Sequence, residues 1–173
     1  MSYYCRRPFQ DAIDNSINRW PQDEIGILDG NCSFDIDYLG NVEVSDPSNS
    51  KICHASFVKL YQKYMTDVCF SNPALLWITG YELRIVEKKS KNLILAQIIE
   101  NIVFCASAID NQDQFFYTCR DTYNNRWLCH LFVVNKQLSS NRLCRAVGFA
   151  FRVCLKRKTI REGLTSNNTR SIG

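Results

Sequence analysis

The stretch from Ser139 to Lys158, SSNRLCRAVGFAFRVCLKRK, constrains the chain more than any other. Its apolar residues recur at helical spacing, so it reads as one amphipathic helix of about five turns. Ser139 or Ser140 can cap its start, because a serine hydroxyl accepts one of the backbone N–H groups that a first turn leaves unpaired. Lys156, Arg157 and Lys158 put positive charge at the far end, where the helix dipole favours it. At about 100° per residue, Leu143, Val147, Ala150 and Cys154 fall on one stripe. Cys144, Gly148, Phe151 and Leu155 fall on a second, roughly a quarter turn away. Phe149 and Val153 widen the arc on the other flank, which leaves Arg145, Arg152 and Lys156 as the wet face. A helix that merely caps a sheet needs an apolar arc of roughly 100°. This arc is about twice that wide. Either protein covers both flanks, or one flank is kept for a partner.

The rest of the chain narrows the choice of class. Its 173 residues fit one domain with short tails, long enough to bury a core without staples. No apolar run approaches the ~18 residues of a membrane span. Met1–Gln10 has no signal-peptide core, and Ser2 does not offer myristoylation. The expectation is therefore a soluble, cytoplasmic protein. A net charge of +4 is too mild to mark a nucleic-acid binder. Nine cysteines, at 5, 32, 53, 69, 105, 119, 129, 144 and 154, are odd in number and contain no C-x-x-C pair. They read as core thiols in a reducing compartment.

Taken in order, Arg19–Gly30 holds a short turn of helix, with Pro21 at a first helical position and Asp23 and Glu24 in the first turn. Cys32–Val44 is a half-buried strand in which Phe34, Ile36 and Tyr38 alternate with Asp35 and Asp37, and Gly40 marks a bulge or a bend. Lys51 to Tyr64 is a helix with Ile52, Ala55, Phe57, Val58 and Tyr61 mostly along one side. Short strands follow: ALLWIT, YELRIVE, LILAQI, ENIVFCASA, QFFYTCR and RWLCHLFVV. The last two form a hairpin around Asp121–Asn125. One strand, a helical excursion, six strands in a meander and a long helix suggest an antiparallel sheet bent on itself.

The chemistry of an enzyme is hard to find here. Cys129 and His130 are adjacent on a strand and point to opposite faces, and Cys53 and His54 are poor neighbours on a helix. No metal-ligand spacing, nucleophile elbow or phosphate loop occurs, so no cofactor or metal is expected. Asp35 and Asp37 read as a solvent face. Arg120, Arg126 and Trp127 are too few for a nucleic-acid surface.

YLGNVEV after a first strand, then LWIT, ELRIVEKKSKNLILAQIIENIVFCA, FFYTCRD, RWLCHLFVV and RLCRAVGFAFRVCLKRK, in that order, resemble a phosphotyrosine-binding (PTB) domain, most nearly of the Numb and Numb-like branch. The resemblance runs from about Arg19 to Lys158, giving a domain at 19–158 between tails at 1–18 and 159–173. It departs from the family at Thr66–Pro73, Ala108–Asp113 and Thr122–Asn125, and the long adaptor tail of full Numb proteins does not follow. It implies a pleckstrin-like fold: a mainly β, seven-stranded antiparallel bent sandwich or barrel capped by the C-terminal helix, with a helical insertion after the first strand. It also implies a non-catalytic adaptor. Asn-Pro-x-Tyr or Asn-x-x-Phe peptides, on cytoplasmic tails or kinases, would add as a strand beside the fifth strand. The lining would be Ile102, Val103, Phe104, Cys105, Ala106 and Ser107, with Cys144, Gly148, Phe151 and Leu155 on the helix. The fifth strand carries no Lys, Pro or charge between Asn101 and Ala108, so its edge lacks the usual blunting devices that deter β-augmentation. Arg120 and Arg126 are the candidates for a phosphate contact. The family setting implies receptor endocytosis, Notch-type signalling or cell-fate control, a monomer, and a location in the cytoplasm or at plasma or endocytic membranes. The alternative is a phosphoinositide-binding pleckstrin-like module with anionic-lipid contact.

Overall fold

A computed structural model of the chain describes residues 20–66, 72–107, 113–134 and 138–169, with the backbone alone from 164. The expected tail at 1–18, most of the loop at 66–73, the turn at 110–112, Cys5 and Cys69 lie outside the described residues.

The centre of the sheet is β1 (Cys32–Glu43). Phe34, Ile36 and Tyr38 enter one apolar cluster. Then the pairing slips by one residue between Tyr38 and Gly40, with Gly40 at φ +110°. Because side chains alternate strictly across a strand, the slip turns everything after it over. Leu39 and Val44 belong to a second cluster on the opposite face. The bulge read from the sequence at Gly40 is present and lets one strand serve two cores.

The remaining strands are β2 (Pro73–Ile78), β3 (Glu82–Glu87), β4 (Leu93–Ile98), β5 (Ile102–Ser107), β6 (Gln114–Asp121) and β7 (Arg126–Val134). They form one antiparallel sheet in the order β4-β3-β2-β1-β7-β6-β5. β4 and β5 stand at opposite ends of that order, yet only a 3₁₀ turn, Ile99–Asn101, joins them. A link this short requires the sheet to curl until its two ends meet, and the ends do not bond to each other. The seven expected strands, unclosed and backed by a C-terminal helix, fit the pleckstrin-like fold. One boundary moves: Glu100 and Asn101, expected in the fifth strand, lie in the turn, and Tyr81 precedes β3.

The helix α1 (Trp20–Asp29) is longer than the single turn expected. The outer face of the sheet is covered by α2 (Ser50–Thr66), capped by Asn49, whose Oδ1 accepts from the Lys51 N–H at 3.1 Å. Its buried stripe is Cys53 and Phe57 with Leu60, Tyr61 and Tyr64 alongside, and Ala55 and Val58 face solvent instead. The expected stripe was therefore partly wrong. Ile52 does pack beside this cluster, but Ala55 and Val58 are apolar residues on the wet side, because burial selected the side that carries Cys53 and Leu60.

The helix α3 (Ser140–Thr169) lies against the other end of the curl. Ser139 is the cap: the Arg142 N–H donates to its carbonyl at 2.9 Å and lies 3.3 Å from its Oγ. Leu143, Val147, Ala150 and Cys154 are all buried, as the first stripe requires. The helix does not stop at Lys158 but continues to Thr169. The polar composition after Thr159 suggested a tail because it has no apolar period. Extending an existing helix needs no such period, since each further residue adds a backbone bond without a new nucleus. Glu100 also holds this extension, 3.8 Å from both Lys158 and Arg161.

Candidate functional site

What happens to the surplus apolar arc of α3 decides the reading. One flank is covered by protein. Phe149 meets the edge of Trp20 from α1, with ring centroids 6.5 Å apart. Asp23 of α1, itself buried, accepts two bonds from the Arg142 guanidinium at 2.7 and 2.6 Å, which locks α1 onto α3. Val153 packs against Gly80, so closely that a methyl group there would lie 2.7 Å from its Cγ1. Even the wet face is used: Arg145 sits over Trp20 and Arg152 over Phe149.

The other flank is left open. Cys144, Gly148 and Phe151 are half-buried, and Leu155 is 38% exposed. A Cβ built on Gly148 would meet nothing within 4 Å. Immediately beside this shelf runs β5, to which α3 is tied where Ser107 Oγ donates to Asn141 Oδ1 at 3.1 Å. Among the described residues β5 pairs only with β6, so no second strand is laid along its outer edge. An open strand edge and an apolar helix shelf thus share one groove, the arrangement in which an extended peptide gains main-chain bonds and side-chain pockets together.

The strand residues named from the sequence do not all serve this groove in the same way. Ile102 and Cys105 are buried in the cluster under α3. Phe104 and Ala106 point to the opposite face and pack with the α2 cluster, Phe104 against Phe116 at 6.0 Å. Their side chains cannot line the groove, and only their backbone is on offer. The pairing of β5 with β6 slips between Ile102 and Phe104, which leaves Val103 as an extra, half-exposed residue. That slip is invisible in IVFCAS.

Arg120 and Arg126 are not brought to the shelf. Arg120 is bonded to Asn125 and stacked over Trp127 at 4.7 Å, and Trp127 packs with the cluster under α2. Arg126 is held by Asp121 at 3.0 Å and Glu43 at 3.6 Å. Both arginines brace the β6–β7 hairpin. Asp121 is the counterpart of Arg126, and its hydrogen bonds from Asn124 and Arg126 pull its carboxyl down to about 2.

Most of the described thiols are shut away from reagents. Seven free cysteines are placed, and all but Cys144 are buried. Burial pushes Cys32 and Cys119 up to about 12. Cys53 and Cys129 share a thiol–thiol hydrogen bond that raises Cys129 and lowers Cys53, and both are 0% exposed. His130 is buried on the other face of β7, its Nδ1 2.9 Å from the Tyr38 hydroxyl and its ring stacked on Tyr117 at 4.8 Å. No three His, Cys, Asp or Glu side chains gather into a metal site among the described residues. No described helix is long and apolar enough to cross a membrane.

Comparison with known proteins leads to the same place. The family model of the phosphotyrosine interaction domain (PTB/PID) matches residues 34–161. The chain is 39% identical to mouse Numb-like protein over 157 residues, covering 91% of this chain and 25% of that protein. It is 38% identical to the human protein numb homolog over 152 residues, 84% of this chain and 23% of that protein. Against Numb-related protein 1 of Caenorhabditis elegans the identity is 35% over 149 residues, 86% of this chain and 24% of that protein. The chain thus spans about a quarter of the length of the curated relatives it matches. Among solved structures, the C-terminal phosphotyrosine interaction domain of mouse APBB2 is similar in fold, with a TM-score of 0.58, 19% identity, and coverage of 69% of this chain and 85% of that one. With an unclosed seven-stranded sheet, a C-terminal helix and a family match over most of its length, the chain belongs to the phosphotyrosine interaction domain family.

Proposed function

We propose that this chain is a non-catalytic adaptor module that binds extended cytoplasmic peptides in the groove between β5 and α3. The single observation that carries the proposal is the half-exposed stripe of Cys144, Gly148, Phe151 and Leu155 beside β5, the last strand of the sheet order among the described residues. A guest of the Asn-Pro-x-Tyr or Asn-x-x-Phe type adds to β5 as a further antiparallel strand. Its turn then packs on Phe151, and its backbone passes over Gly148. Tails of receptors and kinases carrying such peptides are the partners, and endocytic sorting or Notch-type cell-fate control is the setting. Recognition does not depend on phosphate at Arg120 or Arg126, whose guanidinium groups already brace the hairpin. A lipid-binding role has less support, because Arg157 stacks on Tyr81 at 4.4 Å while Lys158 and Arg161 face Glu100.

The test is calorimetric titration with Asn-Pro-x-Tyr and Asn-x-x-Phe peptides, phosphorylated and not. Phe151→Ala, checked for folding by circular dichroism, should lose about 2 kcal/mol of binding, roughly 30-fold, as expected of an interface anchor. Unchanged affinity in a folded variant removes the proposal.

A further inference from the structure

The groove has two unlike ends. Where β5 finishes and α3 starts, Ser107 meets Asn141, a hydroxyl against an amide. At the other end Glu100, in the turn before β5, lies 3.8 Å from both Lys158 and Arg161. Strand and helix therefore run in opposite directions, with neutral polar groups at one mouth and charged groups at the other. Lys158 is also the next position on the open stripe. Cys144, Gly148, Phe151, Leu155 and Lys158 follow at steps of four, three, four and three residues, the spacing of one helix face. From Arg152 to Arg161 the helix carries five cations and no carboxylate. Glu100 and the exposed Glu162 answer only part of that charge.

We infer that the groove selects peptides with an acidic residue just after the aromatic of the Asn-Pro-x-Tyr or Asn-x-x-Phe motif, and that Lys158 is the cation that sets this preference. The inference rests on the peptide-binding reading above. A guest antiparallel to β5 enters beside Ser107 and Asn141 and leaves past Ile102. Its C-terminal flank therefore arrives at Leu155 and Lys158, whose side chain is 47% exposed. Glu100 opposes a carboxylate there, but it is outnumbered by the cations of α3, and at 3.8 Å its contact with Lys158 is loose enough to be shared. The entry mouth offers no such partner. Arg142, next to Asn141, is already committed to the buried Asp23 at 2.7 and 2.6 Å. An acidic residue placed before the motif therefore gains nothing comparable. A charge pair at an exposed rim is worth little in absolute terms, about a two- to fivefold change in affinity at low salt, yet it discriminates between peptides that otherwise fill the groove equally.

Calorimetric titration of the full chain with three Asn-x-x-Phe peptides tests it. One carries Glu-Asp directly after the Phe, one carries the same pair before the Asn, and one carries Ser-Ser after the Phe. The first should bind about two- to fivefold tighter than the other two at about 50 mM salt, and the advantage should fade at about 500 mM. Lys158→Glu, an exposed change checked for folding by its thermal melt, should abolish the preference, and Glu100→Gln should widen it. Equal binding of all three peptides overturns the inference and leaves the groove reading standing, whereas failure of every peptide to bind overturns both. A preference that survives Lys158→Glu, or that the upstream Glu-Asp peptide shares, belongs to the overall charge of +4 and also overturns it. Phosphate on the tyrosine of an Asn-Pro-x-Tyr peptide is the other source of negative charge. A gain from phosphate that needs Lys158, with none from Glu-Asp, likewise overturns the inference.

Discussion

Replacing Gly148 with alanine separates the needs of the fold from those of the groove. In the helix interior, glycine is less favourable than alanine by about 0.8–1.0 kcal/mol. Gly148 has no positive φ, and a Cβ there meets nothing within 4 Å, so the free protein gains the propensity without a clash. For a chain of this size that gain corresponds to a melting temperature higher by roughly 2–4 °C. The bound state responds in the opposite sense. A methyl group on the shelf occupies space that the guest backbone needs, and overfilling a packed contact costs about 1–3 kcal/mol. Peptide affinity should therefore fall roughly 5- to 150-fold. Differential scanning fluorimetry and peptide titration on the same preparation read both quantities. A higher melting temperature with unchanged affinity would show that peptide does not pass over Gly148. A lower melting temperature would show that this face of α3 is already covered, contrary to the structure.

The Asp23–Arg142 pair joins α1 to α3 with little exposure to water, and Asp23→Ala strands the guanidinium. A loss of about 3 kcal/mol in urea denaturation is expected, most of it recovered by adding Arg142→Leu, since a buried pair costs most when only one partner is removed. A second prediction concerns acid. Burial lowers His130 from an ordinary 6.5 to about 4, so between those values the unfolded chain binds the proton and the folded one does not. The contribution of His130 is whole above pH 6.5 and declines as the pH falls towards 4, by up to about 3 kcal/mol. His130→Phe should flatten the stability profile over that window, and an unaltered slope would mean that other groups govern it.

Strand spacing, the bulge at Gly40, the capping serine and the two stripes of α3 were all legible in the sequence, because each depends on neighbours within a few residues. Period-two and period-3.6 patterns record which side chains are able to be buried. They do not record what buries them. That Trp20 covers Phe149, that Asp23 neutralises Arg142 across 119 positions, and that Phe151 is left only half-buried are facts of chain return. The same limit applies to the strand residues of the groove. IVFCAS reads as a continuous apolar strand, and the slip at Val103, which sends Phe104 and Ala106 to the other face, exists only through pairing with β6. The reach of α3 past Lys158 and the engagement of Arg120 and Arg126 in a hairpin were likewise decided by contacts far apart in the chain. The sequence by itself determined an over-wide apolar helix and a set of short strands. Only tertiary packing decided which flank of that helix would be spent on the core and which would stay open, because burial is a property of a surface and its cover together.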